Sequence, residues 1–396
     1  MTDTQAERPA ESLYLLGHPI AHSSSPAMYN AVYERLGLPW RYGLADCATE
    51  EEARSFVEAR GFLSINITTP YKPLAFEAAT AKAATAKLAQ GANVLVKKGD
   101  ALIGFNTDGQ GCVAYLERTG FCFAGKRVAV CGTGPTALSI LHACAIAGAD
   151  VAMLVGRDKE RSRKVLEGYV ERFGLLANAT VDLPAAQAHH RSFRTAYERT
   201  TFKFGSYTTS TKALAAADLV VNATPLGMNE GDGSPFDVGL LSAGQTVFDA
   251  VYGHGETALV RAAREAGCTV HDGAGMLVAQ AVATVHAAVS YTHLDVYKRQ
   301  ASSCPRKSAS ARTCARAARS STRRWPSSRA RCCRATARSR CTIRTASPWR
   351  SRESCATSAA SKLIWKASAA AWTSSASALA LPIRRTPRRP GPPTAA

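Results

Sequence analysis

The stretch that most constrains the fold is residues 126–158, KRVAVCGTGPTALSILHACAIAGADVAMLVGRD. An apolar run, Val128–Cys131, ends in a glycine turn. A helical stretch follows, stops near Gly148, and leads into a second apolar run that closes at Gly156. Strand, turn, helix and strand make one βαβ unit, whose two strands must pair parallel because the helix carries the chain back. A parallel sheet is covered on both faces, so the surrounding chain is expected to be α/β. The turn is Gly132-Thr-Gly134-Pro-Thr-Ala137. A GxGxxA is weak alone and stronger between a strand and a helix. There the glycines let the backbone approach a pyrophosphate, and the helix N-terminus supplies free N–H groups and positive potential. A packing turn is the alternative reading.

More strands and helices flank this unit. LYLLG (Leu13–Gly17) is strand-like, and a helix follows with Ser25 as its expected N-cap and Pro26 in its first turn. RYGLADC reads as a strand, EEARSFVEAR as an amphipathic helix, and FLSINITTP as a β-rich run stopped by Pro70. Alanine-rich sequence to about Gln90 is expected to be helical, and a hairpin turns at Lys98–Asp100. Beyond the βαβ unit, a long polar stretch fills Arg161–Asp218. Two apolar strands, ADLVVNATPLG and GQTVFDAVYG, come next. A helix, a strand, a glycine turn and a last helix, Met276–Val289, follow them.

Charge divides the chain. Residues 1–290 hold 26 Lys and Arg against 28 Asp and Glu; residues 291–396 hold 23 against 2. The second part is rich in Arg, Ser, Ala, Thr, Pro and Cys and has no apolar period, so it is expected to be disordered. A basic arm for nucleic acid and a native extension are two readings of it. The preferred one is the out-of-frame translation of a GC-rich gene, because composition changes abruptly at SYTHLDVYKRQ, a segment that resembles a translated sequencing scar. On that reading the tail is not native and the protein binds no nucleic acid. Cys47, Cys112, Cys122, Cys131, Cys144 and Cys268 form no CxxC, which suits reduced structural thiols and no metal site. No run reaches the ~18 apolar residues of a membrane span, and the polar start lacks a secretory core. A cytoplasmic location is expected.

Four polar clusters stand at strand ends: Ser23 with Ser25, Thr68 with Lys72, Asn93, and Asn106-Thr107-Asp108. Each has an ordinary reading as a cap or a solvated side chain. The second strand of the βαβ unit ends at Gly156-Arg157-Asp158. An arginine there suits the 2′-phosphate of NADP, and an acid suits the ribose hydroxyl of NAD.

Taken together, these segments resemble the shikimate dehydrogenase family over nearly all of residues 1–290. The resemblance rests on GHPIAHSSSPAMYN, NITTPYK, the AN of GANVL, NTDG, GTGPTA, VNATPLGM, DAVY and GAGMLVAQA, in that order. It implies an α/β substrate domain, 12–108, completed by 274–290, and a Rossmann-type doubly wound NADP-binding domain, 109–273. It also implies a reversible NADPH-dependent reduction of 3-dehydroshikimate to shikimate, in aromatic amino-acid biosynthesis, by a monomer or homodimer. A quinate/shikimate dehydrogenase using NAD is the alternative.

Carried over by position, the resemblance puts the catalytic pair on Lys72 and Asp108. Substrate contacts fall on Ser23, Ser25, Thr68, Asn93, Asp108, Tyr252 and Gln280. Cofactor contacts fall on Gly132, Gly134, Pro135, Thr136, Ala137, Arg157, Asp158, Arg161, Thr224 and Gly273. Four departures stand out, one of them an Arg161–Asp218 stretch longer than in the family's typical biosynthetic enzyme, which with the acid at Asp158 leans toward the quinate/shikimate branch. The family's GAGG turn is GTGP here, which removes an N–H at Pro135. Its Asn-Arg-Thr is Gly-Arg-Asp, which puts an acid at Asp158. Val94 replaces a threonine.

Overall fold

The computed structural model describes residues 12–179 and 184–285, all within one compact unit. Expectations for residues 291–396, and for the end of the last helix, fall outside the described residues.

A first sheet contains β1 (Ser12–Gly17), β2 (Arg41–Asp46), β3 (Ser64–Ile67), β4 (Ala81–Lys82), β5 (Val94–Lys98) and β6 (Ala101–Phe105). Their order is β2-β1-β3-β5-β6-β4. β1 pairs parallel with β2 and β3, while β5 runs antiparallel to β3 and β6. The hairpin turns where expected, with Gly99 at φ +57° and Lys98 opposite Ala101. The helices among these strands are α1 (Ser25–Arg35), α2 (Glu50–Ala59), α3 (Lys72–Ala78) and α4 (Ala84–Ala89).

A second sheet contains β7 (Arg127–Cys131), β8 (Val151–Gly156), β9 (Thr201–Ser206), β10 (Leu219–Asn222), β11 (Thr246–Asp249) and β12 (Thr269–His271). It is parallel throughout, in the order β12-β11-β10-β7-β8-β9. The chain winds outward from β7 to β9, then returns to β10 on the other side. That is a doubly wound sheet with its switch point between β7 and β10, where such folds bind ligands. Its helices are α5 (Asp108–Arg118), α6 (Pro135–Ala147), α7 (Lys159–Ala177), α8 (Pro184–Arg199), α9 (Thr211–Ala215) and α10 (Ala258–Glu265). A last helix, α11, occupies 273–285.

Packing explains the long apolar run of α6. Ile140, Leu141 and Cys144 are fully buried against Val128, Val130 and Leu154 of the sheet and against Leu116 of α5. Gly109 lies so close to Ser139 that an added methyl would run into its carbonyl, and the Gly109 N–H donates to Ser139 Oγ at 2.9 Å. The last helix turns back onto the first sheet's helices: Leu277 and Ala281 share a core with Met28 and Tyr29, and Val282 and Val285 pack on Val32.

Four local expectations need correction. Ser25 does not cap α1; it is the first helical residue, and Ser24 holds the cap position without a side-chain bond. The Ser25 side chain turns inward, 3 % exposed, so it cannot also satisfy the helix end. Asp108 likewise opens α5 as its first residue, with Thr107 at the cap. The alanine-rich stretch to Gln90 is two short helices separated by β4, because Ala81 and Lys82 pair with Ile103 and Gly104. The glycines at 273 and 275 form no separate turn. They lie inside α11, where side chains would collide with Ala250 O and with the Tyr115 ring.

Candidate active site

Lys72 opens α3, just after the turn that follows β3. The turn is anchored on both sides: the Thr68 N–H donates to Leu16 O and the Tyr71 hydroxyl to Cys47 O. Asp108 opens α5, just beyond the end of β6. The Lys72 Nζ donates to Asp108 Oδ2 at 2.6 Å, with the two side chains 13 % and 3 % exposed. Asn93 donates to Asp108 Oδ1 at 2.7 Å, and Asn106 Oδ1 accepts the Asp108 N–H at 3.1 Å. Both carboxylate oxygens are thus held, and the ammonium has a charged partner in a nearly dry setting.

Around this pair is a cavity of about 190 Å³. The first sheet with its helices makes the first lobe, and the second sheet with its own makes the second. The first lobe contributes Ser23, Ser25, Thr68, Lys72 and Asn93 to the cavity wall, and Asp108 joins them where β6 leads into α5. The second lobe contributes Thr136, Thr224 and Tyr252, and α11 contributes Gly273 and Gln280. Asn93 also donates to Gln280 Oε1 at 3.5 Å, which ties the two amides into one polar row. The Tyr252 hydroxyl is hydrogen-bonded to the Ser23 side chain, and burial pushes its pKa up, so it stays a neutral phenol. Thr224 is set by Asn222, whose Oδ1 accepts from both its N–H and its hydroxyl. Serine and tyrosine hydroxyls, two amides and an ammonium make a lining suited to a small, polyhydroxylated carboxylate.

The remaining sequence candidates stand outside that cavity, along the C-terminal ends of β7 and β8. Gly132 takes φ +123°, with space for no side chain against Ala223 O at 2.8 Å. Gly134 has open space before it and forms no side-chain cap for α6. No side chain caps the first N–H groups of α6, a setting that fits a pyrophosphate. Pro135 sits at the first helical position, where a missing N–H costs the helix nothing. Arg157 follows β8 directly, and Tyr207 comes close enough to feel its charge. Asp158 is the N-cap of α7, its Oδ1 accepting the Arg161 N–H at 2.6 Å.

Sequence reasoning missed several wall residues. Asn66, His22 and His254 line the cavity. Asn66 accepts from the Tyr42 hydroxyl at 2.9 Å, and the rings of His22 and His254 lie 4.4 Å apart across the lobes. Asn66 stood within the quoted NITTPYK block, so its position after an inward-facing strand residue was a usable signal. Nothing in the sequence pairs His22 with His254. Among the described residues no three His, Cys, Asp or Glu side chains gather as a metal site, and the six described cysteines are free. No described helix is long and apolar enough to cross a membrane.

The family described as the shikimate dehydrogenase substrate binding domain matches residues 15–95. The shikimate dehydrogenase (NADP(+)) of Symbiobacterium thermophilum is 35 % identical over 276 residues, covering 69 % of this chain and 86 % of that protein. This chain belongs to the shikimate dehydrogenase family. The corresponding enzyme of Geobacter metallireducens is 32 % identical, covering 68 % of this chain and 87 % of that protein. Among solved structures, the Thermus thermophilus shikimate 5-dehydrogenase in complex with NADP(H) and shikimate is 25 % identical, with a TM-score of 0.57. It covers 71 % of this chain, which covers 94 % of it. A quinate dehydrogenase from Corynebacterium glutamicum in complex with NAD is 26 % identical, with a TM-score of 0.55, at 69 % and 91 % coverage. Members of the shikimate dehydrogenase family are oxidoreductases, and the doubly wound second sheet agrees with that class.

Proposed function

We propose that the protein interconverts 3-dehydroshikimate and shikimate with NADP(H), using residues 12–108 with 274–290 for the substrate and 109–273 for the dinucleotide. The observation that carries this reading is the buried Lys72–Asp108 pair, 2.6 Å apart, on the wall of a hydroxyl- and amide-lined cavity. Residues at the switch point of the second sheet, Thr136 after β7 and Ala223 and Thr224 after β10, line the same cavity. The nicotinamide, when bound, supplies or accepts the hydride. The residues of the chain manage the proton and the pose. Lys72 donates a proton to the carbonyl oxygen in reduction and takes it back in oxidation, while Asp108 holds the ammonium in place. Ser23, Ser25 and Tyr252 offer hydroxyls to the carboxylate. Asn93 and Gln280 each carry a donor and an acceptor for ring hydroxyls. Thr68 completes the polar wall beside Lys72.

NADP is preferred over NAD on two grounds. The acid that would suit a ribose hydroxyl, Asp158, is turned by its Oδ1 toward the Arg161 N–H as a helix cap, and relatives such as those of Symbiobacterium and Geobacter are NADP(+) enzymes. Arg157 and Arg161 are left for a 2′-phosphate, which guanidinium groups grip well. Gly132, Gly134, Ala137, Thr224 and Gly273 would border the rest of the dinucleotide.

The test is turnover of the purified chain with shikimate and quinate, each with NADP+ and NAD+, followed by reduced-nicotinamide absorbance. Fastest turnover with shikimate and NADP+ is expected. Preference for quinate with NAD+ would move the chain to the other branch, and no turnover with any pair would remove the reading.

A further inference from the structure

Thr136 belongs by sequence to the glycine turn, and the resemblance counts it among the cofactor contacts there. In the fold its hydroxyl is set against the Lys72–Asp108 pair. Lys72 Nζ donates to Thr136 Oγ1 at 2.8 Å, and Thr136 Oγ1 donates to Asp108 Oδ2 at 3.0 Å. Asp108 Oδ2 also takes the Lys72 bond at 2.6 Å. An ammonium can only donate and an ionised carboxylate can only accept, so the hydroxyl must accept from one and donate to the other. The three groups close a ring in which two of the three ammonium N–H groups are used. One is left for the cavity.

The start of α6 is also docked mechanically on the segments that carry the pair. A methyl added at Gly91 would stand 2.5 Å from Pro135 Cβ and 3.4 Å from Lys72 Cβ. The Ala92 N–H donates to Lys72 O at 2.9 Å, so this same segment grips the Lys72 backbone. One turn further along α6, Ser139 Oγ accepts the N–H of Gly109, the neighbour of Asp108. The Pro135–Thr136 step is therefore seated against both carriers of the pair.

We propose that Thr136 is a positioning residue for Lys72: its hydroxyl, carried on the dinucleotide turn, aims the remaining ammonium N–H at the substrate oxygen. The proposal rests on the reaction assigned above. No proton passes through Thr136; it fixes the direction of the proton that Lys72 gives. Dinucleotide turn and proton donor then form one rigid unit across the two lobes.

The experiment compares the full chain with T136V, which keeps the shape and loses the hydroxyl, and T136S, which restores it. A thermal melt of each checks folding. Three quantities are read: kcat and KM for shikimate and NADP+, the NADP+ Kd by fluorescence, and the rate of Lys72 acylation by acetic anhydride, measured by peptide mass spectrometry. In T136V, kcat is expected to fall about tenfold, the scale of one hydrogen bond to a charged group. NADP+ Kd should stay within about twofold. Lys72 should acylate several-fold faster, and T136S should return both kcat and labelling toward wild type. Labelling of Lys72 in T136V at the wild-type rate overturns the proposal whatever kcat does. A weakened NADP+ Kd with kcat unchanged at saturation overturns it too, and returns Thr136 to the cofactor. Labelling needs no substrate, so a wild-type chain inert toward shikimate would count against the reaction and leave the labelling result to judge Thr136.

Discussion

At the scale of single residues, Lys72 and Asp108 stand at the first positions of two helices from different parts of the chain. Each is held by neighbours that cannot shift alone. Lys72→Ala should lower kcat by roughly 10²- to 10⁴-fold, the range for losing a positioned acid–base group, with a smaller change in substrate KM. Steady-state kinetics with shikimate and NADP+ check this; a kcat near wild type would remove Lys72 from the proton step. Gly109 offers a structural counterpart. A methyl there meets backbone, the Ser139 carbonyl, which has no rotamer to escape into. Gly109→Ala should cost about 1–3 kcal/mol of unfolding free energy in urea titration, and should lower activity by moving Asp108. The Asn93 role was visible in sequence only as a resemblance. Its bonds to Asp108, Thr107 and Gln280 join residues up to 187 positions apart, a span that no local pattern encodes.

At the scale of elements, the βαβ unit was fully legible. Its strands are buried on both faces, its helix starts with Pro135, and Gly148 ends it at φ +118°. The start of α7 was not. Asp158 has the residue type of a ribose ligand and of an N-cap alike, and only the fold shows that its Oδ1 caps α7. Asp158→Ala should lose about 1 kcal/mol of stability with the cap. Asp158→Thr should keep most of it, because threonine also caps, and should tighten NADP+ by removing a negative charge beside Arg157. Arg157→Ala should weaken NADP+ far more than NAD+. Melting curves and dinucleotide titrations of the three variants check this, and equal losses for the two dinucleotides would mean that Arg157 touches no phosphate.

At the scale of the whole molecule, His22 and His254 bring two distant segments together on the cavity wall, their rings 4.4 Å apart. Burial holds the His22 pKa below its ordinary 6.5; His254 adds to this and Asp46 opposes it. The folded chain therefore binds this proton less tightly than the unfolded chain. The associated stability is fully present above the unfolded value of 6.5 and is lost as pH falls below it toward the folded value. Burial lowers His271 likewise, with Asp272 opposing. Tm should drop on going from about pH 7.5 to about pH 5.5, and His22→Asn should flatten part of that drop. A Tm profile for His22→Asn that overlays wild type would show that the histidine contact does not contribute.

The sequence alone determined the class of fold, the position of the glycine turn and the residue types of the site. Those properties live in short runs: strand periodicity, a helix opened by proline and closed by glycine, and motif blocks a few residues long. Tertiary structure decided how the pieces are used. It set the Thr136 hydroxyl against the catalytic pair, gave Asp158 a capping bond to the Arg161 N–H, and brought α11 back over α1 so that Gln280 reaches Asn93. Each depends on contacts between segments far apart in the chain, and a side chain's direction is set by what packs against it rather than by its neighbours in sequence.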